Sequence, residues 1–134
     1  MSISVWPYER PFLVATSYPA DTLLLRAALD RIGVPAALAH DGVTAMHAVC
    51  GDQDAFAGMI VSDRVGQVSG LTLCGLARDA GWTRPLILLT ADDCGLIAAR
   101  AARLRVTVLW QPVSSRRLES TLRDMLPRRQ CIAS

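Results

Sequence analysis

The chain has 134 residues, of which 51% are hydrophobic and 19% charged, and its formal net charge is +2. This length is typical of a single domain with a full core, and so small a net charge gives no electrostatic reason to expect DNA binding. All basic residues are arginine, fourteen in number, so no side chain of this chain can supply an ammonium group.

The apolar runs of the sequence are short. Each is interrupted well before the roughly 18 residues that indicate a membrane span. The first twelve residues have neither the basic nor the apolar region of an export signal, so we expect a cytoplasmic protein that makes no membrane contact. The cysteines are widely spaced, which predicts buried reduced thiols and no metal site or disulfide at Cys50, Cys74, Cys94 and Cys131.

Apolar and amphipathic segments alternate along the chain. Short apolar segments predict strands at residues 12–16, 35–40, 59–61, 86–90 and 106–110, all but the weaker second one buried on both faces. Helical spacing predicts helices at residues 20–32, 42–50, 70–80, 95–104 and 115–126. This alternation predicts an α/β domain with a doubly wound, five-stranded parallel sheet covered by five helices.

In such folds, binding sites form at the carboxyl ends of the strands, where the strand order reverses. The residues at these ends are mostly uncharged: Thr16 and Ser17 follow the first strand, Ser62 and Asp63 the third, Thr90 ends the fourth, and Gln111 follows the fifth. An enzyme needs converging titratable groups in its cleft, and these residues offer at most one carboxylate. We therefore expect no catalytic activity.

Five fragments of the chain, in order, resemble one family. They are "FLVATSYPADTLLLRAAL", "AHDGVTAM", "SGLTLCGLARDAG", "RPLILLTA" and "LWQPVSSRRLESTL". Together they resemble the CheY-like receiver domains of bacterial two-component signalling, and the resemblance covers roughly residues 11–127. It implies a flavodoxin/CheY-like (βα)5 fold, with an N-terminal extension at residues 1–10 and a C-terminal tail at residues 128–134.

The resemblance also implies a chemistry. Receivers take a phosphoryl group from a histidine kinase onto an aspartate that ends the third strand, with an acidic pair for Mg²⁺, a Ser/Thr and a lysine around it. By position, the acidic pair falls on Thr16 and Ser17 and the lysine on Gln111, while Thr90 retains the Ser/Thr. The resemblance therefore implies a degenerate pocket with no metal or cofactor.

The phosphoacceptor position falls on Ser62 when the chain is counted from either side. A serine cannot form the acyl phosphate of this family, so we expect a pseudo-receiver that signals without phosphorylation. An alternative makes Asp63 the phosphoacceptor, with a compensating change of register. Otherwise Asp63 is a loop carboxylate that caps local amides or pairs with an arginine such as Arg64.

The arginines suggest a binding surface. The fourth helix, fifth strand and fifth helix carry Arg100, Arg103, Arg105, Arg116, Arg117 and Arg123, with Trp110 near the edge. In the family this side is a docking surface, so the expected partner is an acidic signalling protein, which would be a histidine kinase, regulator or effector, or a second copy of the chain. Alternatively, "RAARLR" (100–105) and "PRRQ" (127–130) bind cyclic di-GMP.

Two details concern the fourth helix. Asp92 and Asp93 precede it, and we expect them to be its N-caps. At its other end, Leu104 and Arg105 stand where the family has Gly-Ala, so we expect an irregular or displaced helix end.

Overall fold

The computed structural model describes residues 10–51 and 53–125. The predicted C-terminal tail and all but Arg10 of the predicted N-terminal extension lie outside these residues, and the domain boundaries remain predictions. Among the described residues, no helix is both long enough and apolar enough to cross a membrane.

A five-stranded parallel sheet forms the centre of the molecule. Its strands are β1 (Phe12–Ala15), β2 (Ala36–Ala39), β3 (Gly58–Ser62), β6 (Leu86–Thr90) and β7 (Thr107–Trp110), in the order β2-β1-β3-β6-β7. All five predicted strands are present. The order reverses between β1 and β3, so the expected site lies at the carboxyl ends of these central strands.

Five helices cover the sheet: α1 (Pro19–Arg31), α2 (Gly42–Cys50), α3 (Gly70–Asp79), α4 (Gly95–Leu104) and α5 (Ser115–Met125). Because strand side chains alternate between the two faces, each face has its own apolar core. One core packs Val14, Ile60 and Leu109 against α1 and α5, and the other packs Leu13, Met59 and Leu88 against α2, α3 and α4. The predicted fold class is confirmed.

The edge strands differ from the central strands. β1, β3 and β6 are buried along their whole length, whereas β7 is only half-buried and ends in Trp110, which is 42% exposed. The prediction that the fifth strand is buried on both faces is therefore wrong. Within residues 10–51 and 53–125, β7 pairs with β6 alone and its other edge carries no strand.

A small hairpin follows β3 and was not predicted. It consists of β4 (Arg64–Val65) and β5 (Val68–Ser69), joined by a turn in which Gly66 has φ of +65°. A positive φ of this size favours glycine, which has no Cβ to clash. The hairpin packs so closely against the start of α2 that a Cβ at Gly42 would collide with Val68.

Arg78 of α3 holds the C-terminal end of α4. Its guanidinium donates hydrogen bonds to the carbonyl oxygens of Leu104 (2.7 Å), Arg105 (2.9 Å), Trp82 (2.9 Å) and Arg84 (3.0 Å). The helix ends regularly at Leu104, with Arg105 in the left-handed conformation (φ 58°, ψ 47°). The expected irregular end is therefore wrong, because Arg105 adopts the conformation that glycine usually takes and Arg78 binds the free carbonyls.

The cysteines do not follow the prediction of burial. Cys50 and Cys94 are exposed, and only Cys74 of the described cysteines is buried, while Cys131 lies outside the described residues. Burial raises the pKa of the Cys74 thiol to about 12, so this residue stays protonated and unreactive. No group of three or more His, Cys, Asp or Glu side chains in the described segments is placed to hold a metal ion.

Candidate functional site: the carboxyl ends of the central strands

The predicted pocket residues converge at the carboxyl ends of the central strands. Ser62 ends β3 and Thr90 ends β6, and both are 0% exposed, while Thr16 directly follows β1 and is also buried. Gln111 follows β7 and is half-buried, whereas Ser17 is exposed. The structure thus brings most of these residues together inside the protein.

A carboxylate from α1, which the sequence analysis did not select, enters this pocket. Asp21 is only 9% exposed and lies in the first turn of the helix. Ser62 Oγ donates a hydrogen bond to Asp21 Oδ2 at 2.7 Å, and Gln111 Nε2 donates one to Asp21 Oδ1 at 3.0 Å. Asp21 therefore connects the ends of β3 and β7 through both of its oxygens.

The residues at the positions of the acidic pair are bonded locally. Thr16 Oγ1 accepts a hydrogen bond from the Tyr18 backbone N–H at 3.0 Å. The backbone N–H and the hydroxyl of Ser17 both donate to the Arg64 carbonyl oxygen, at 3.4 and 3.2 Å. This contact joins the loop after β1 to the hairpin.

Thr90 is also engaged. Its hydroxyl oxygen accepts a hydrogen bond from the Asp92 backbone N–H at 3.0 Å, and its carbonyl oxygen accepts one from the Gln111 N–H at 2.7 Å. Gly70 at the start of α3 packs tightly against the end of β3, since a Cβ there would overlap the carbonyl oxygen of Ser62. Glycine alone permits this approach, which brings the start of α3 directly against the backbone at the end of β3.

The residues present do not fit a Mg²⁺ ion. Mg²⁺ requires near-octahedral oxygen ligands and is usually bound by carboxylates. The pocket has a single carboxylate, Asp21, and both of its oxygens already accept hydrogen bonds. Ser17 and Ser62 offer only neutral hydroxyls, which donate to the Arg64 carbonyl oxygen and to Asp21, so the described residues of the pocket supply no second carboxylate for the ion.

Asp63 does not share this pocket. It lines a separate depression of about 170 Å³ together with Ser69, Leu71, Leu88, Ile97 and Arg100. This agrees with the alternation of a strand, by which Ser62 and the next residue point in opposite directions. Arg64 does not pair with Asp63, because its guanidinium instead approaches the Gln67 carbonyl oxygen at 3.5 Å.

The predicted arginine face is divided. All six arginines of this face are exposed, and five of them lie on α5 or at the C-terminal end of α4: Arg103, Arg105, Arg116, Arg117 and Arg123. Arg100 instead lines the depression with Asp63, on the α3 side of α4. The tail segment 127–130 lies outside the described residues.

The expected N-caps of α4 are wrong. The N-cap residue is Cys94, which makes no side-chain capping bond. Asp92 Oδ1 accepts a hydrogen bond from the Cys94 backbone N–H at 3.0 Å, two residues away. This is the local turn that aspartate forms with its own backbone, and it ends before the helix begins.

A signal for Asp21 is present in the sequence. Asp21, Leu25, Ala28 and Leu29 form the buried side of α1, and a spacing of four and seven residues is that of one helix face. The apolar stripe therefore extends to Asp21 and predicts its burial. An acidic residue in a first helical turn is usually attributed to the helix dipole, which hides this signal.

No family model matches the sequence, and a search of curated proteins finds no match. Solved structures do match, and they share the CheY-like receiver fold. A two-component response regulator from Clostridium difficile has a TM-score of 0.76 at 16% identity, covering 87% of this chain and 94% of that one.

Two further matching structures contain a magnesium ion or a phosphorylated aspartic acid. The receiver domain of a sensor histidine kinase from Pseudomonas aeruginosa has a magnesium ion coordinated in its active-site cleft; it has a TM-score of 0.73 at 18% identity, covering 87% and 96% of the two chains. A response regulator from Burkholderia pseudomallei contains a phosphorylated aspartic acid; it has a TM-score of 0.71 at 23% identity, covering 87% and 66%.

Proposed function

We propose that this chain is a pseudo-receiver of two-component signalling, which acts through protein–protein contacts and independently of phosphorylation. The observation that carries the proposal is the bonding of the pocket. Ser62 stands at the phosphoacceptor position and donates its hydrogen bond to Asp21, whose second oxygen is bound by Gln111. The polar groups of the pocket are thus engaged with each other.

The charges of the pocket support the same proposal. A transferring phosphoryl group carries negative charge on its equatorial oxygens and needs cations beside them. Gln111 is neutral, and the chain contains no lysine that could replace it. The buried pocket also contains the negative charge of Asp21, which would repel an incoming phosphoryl donor.

Neither carboxylate near the end of β3 is placed as a phosphoacceptor. Asp21 is buried and both of its oxygens accept hydrogen bonds, so a phosphoryl donor that reached it would have to displace Ser62 or Gln111. Asp63 lines a different depression with Arg100, outside the hydrogen-bonded group of Ser62, Asp21 and Gln111. The alternative in which Asp63 is phosphorylated therefore has less support than the pseudo-receiver.

The proposed docking surface is the side formed by α4, β7 and α5. It carries the exposed Trp110, an aromatic of the kind that anchors interfaces, and an edge of β7 that no other described strand pairs with. Its exposed charges are mainly arginines, which favour an acidic partner such as a histidine kinase, regulator or effector. A symmetric homodimer through this surface would set arginines against arginines, so a different protein is favoured over a second copy.

Cyclic di-GMP has no comparable geometry in its favour. Arg100 and Arg103 of the segment 100–105 are spaced along α4, and Arg100 lies beside the carboxylate of Asp63. A phosphate group bound there would meet that negative charge. A calorimetric titration with cyclic di-GMP checks this alternative, and we expect no binding heat.

Phosphorylation is tested directly by intact-protein mass spectrometry. The purified chain is incubated with Mg²⁺ and acetyl phosphate, alongside a phosphorylatable receiver as positive control. We expect the control to gain a phosphoryl group and this chain to remain unmodified. A phosphoryl adduct that disappears in Asp63→Ala would replace the proposal with a conventional receiver.

The docking surface is tested by photo-crosslinking in cells, with a photoreactive amino acid at position 110. The matched control carries it at Leu23, which is exposed on α1 and lies outside the α4, β7 and α5 segments. We expect an adduct from position 110 that is lost when Arg116 and Arg117 are changed to glutamate. Adducts from position 23 alone would place the partner elsewhere.

A further inference from the structure

Two unpaired charges of opposite sign line one depression beside the pocket. Asp63 follows β3 and Arg100 is on α4, and both border the same cavity of about 170 Å³. No described residue lies within ion-pair or hydrogen-bonding distance of either charged group, nor do they pair with each other. Their charges are therefore free to bind a ligand.

The rest of the depression is mainly apolar. Leu71 of α3 and Leu88 of β6 are buried core residues, and Ile97 of α4 packs partly against the same core. The hydroxyl of Ser69, the remaining lining residue, is already bonded to Thr72. An apolar group placed here is removed from water without displacing a hydrogen bond, which is favourable.

The charges decide the class of ligand. An inorganic anion at Arg100 would be repelled by Asp63, and a simple cation at Asp63 would be repelled by Arg100. A molecule with both an ammonium and a carboxylate satisfies both, with charge-assisted hydrogen bonds at each end. The apolar wall then requires a hydrocarbon side chain on the same molecule.

The volume of the depression limits the size of the ligand that it can hold. The depression has a volume of about 170 Å³. It is smaller than the roughly 300–1,000 Å³ typical of pockets for drug-sized ligands. A molecule the size of a single free amino acid fits this space.

We propose that this depression is a binding site for a free α-amino acid with an aliphatic side chain. Arg100 binds the carboxylate, Asp63 binds the ammonium group, and the side chain covers Leu71, Leu88 and Ile97. The bound ligand joins the end of β3 to α4, the helix in which Ala101 alone is fully buried. This site is independent of whether the chain is phosphorylated.

The test is a titration of the ¹⁵N-labelled chain with leucine, followed by NMR. We expect saturable shifts of the backbone amides around Ser69 and Ile97. Three analogues each lack one group: 4-methylpentanoate lacks the ammonium, 3-methylbutan-1-amine lacks the carboxylate, and glycine lacks the side chain. Each should bind at least about fivefold more weakly than leucine.

Matched variants assign the charges. Arg100→Gln and Asp63→Asn should each weaken leucine binding at least about fivefold, whereas Arg103→Gln, exposed on the same helix, should leave it unchanged. The proposal is overturned if leucine causes no saturable shift, or if 4-methylpentanoate binds as tightly as leucine. It is also overturned if Arg103→Gln weakens binding as much as Arg100→Gln.

Discussion

Two neighbouring residues, Ser62 and Asp63, lie on opposite sides of the end of β3, in regions of opposite character. Ser62 belongs to a buried pocket in which each polar group has a partner within the protein. Asp63 borders an open depression in which its charge and that of Arg100 have none among the described residues. The comparison shows that a polar cluster satisfied internally has a structural role, whereas unpaired charges at a cavity remain available to a ligand.

The largest expected effect is the loss of stability when Asp21 is replaced. If the polar groups of the pocket bond mainly to each other, Asp21 serves to hold the fold together. Asp21→Ala leaves Ser62 and Gln111 without their acceptor inside the protein, and should lower the free energy of unfolding by about 2–4 kcal/mol. Urea unfolding measures this. Asp30→Ala on the exposed side of the same helix is the control and should change it by no more than about 0.5 kcal/mol. If both variants lowered the free energy of unfolding equally, the hydrogen bonds of Asp21 would not be important for stability.

Placing an aspartate at position 62 should also destabilise the chain. Ser62→Asp places a second carboxylate beside Asp21 and removes the hydroxyl that donates a hydrogen bond to Asp21. The free energy of unfolding at pH 7 should therefore fall by about 2–3 kcal/mol. The loss should shrink as the pH falls, because one protonated carboxyl can donate a hydrogen bond to the other. Unfolding curves at several pH values test this, and a variant as stable as wild type at pH 7 contradicts the account.

Arg78, near α4, is a second polar group whose hydrogen-bond partners lie within the protein. Partial burial, and then the nearby charge of Arg105, lowers the pKa of its guanidinium, which still remains charged at neutral pH. Arg78→Ala removes the bonds to four carbonyl oxygens, and should cost about 1–3 kcal/mol. Arg78→Lys should recover only part of this, because a point charge cannot replace the planar guanidinium. Denaturant midpoints distinguish these outcomes. If Arg78→Lys were as stable as wild type, the planar shape of the guanidinium would not matter for stability.

The smallest effect concerns Asp41, the N-cap of α2. The Thr44 backbone N–H donates to Asp41 Oδ1 at 2.8 Å, and this bond lowers the pKa of the carboxyl below its usual 3.8. Since the folded pKa is depressed, its contribution is present above the unfolded pKa and is lost as the pH falls through the folded one. Asp41→Ala should lower the melting temperature slightly at pH 7, and the difference from wild type should shrink as the carboxyl becomes protonated below its usual pKa of 3.8. A difference that persists there would point to packing instead of the charge.

Hydrophobic periodicity was enough to predict the main sheet and the helices, because each strand and helix buries a continuous apolar stripe. It failed where a few polar atoms decide the structure. The hairpin at Arg64–Ser69 is only two residues wide on each side, too short for a periodic pattern. The exposed Trp110 depends on β7 being an edge strand, which is a property of strand order that local sequence does not contain.

The pocket was partly predictable. Positions 16, 17, 62, 90 and 111 follow from where strands end, and the structure places them at one edge of the sheet. Asp21 was missed because its role arises from contacts 41 and 90 residues away along the chain, with Ser62 and Gln111. Such long-range hydrogen bonds have no local signature beyond the helical spacing to Leu25.

The most direct test of the account is an NMR titration of the chain with Mg²⁺ and then with beryllofluoride, a mimic of the phosphoryl group on aspartate. Wild type, Asp63→Ala and Asp21→Asn are compared. The account predicts that the amides near Ser62, Thr90 and Gln111 do not shift in any of them. A shift in wild type that Asp63→Ala or Asp21→Asn abolishes would show a working phosphorylation pocket, and the account would be wrong.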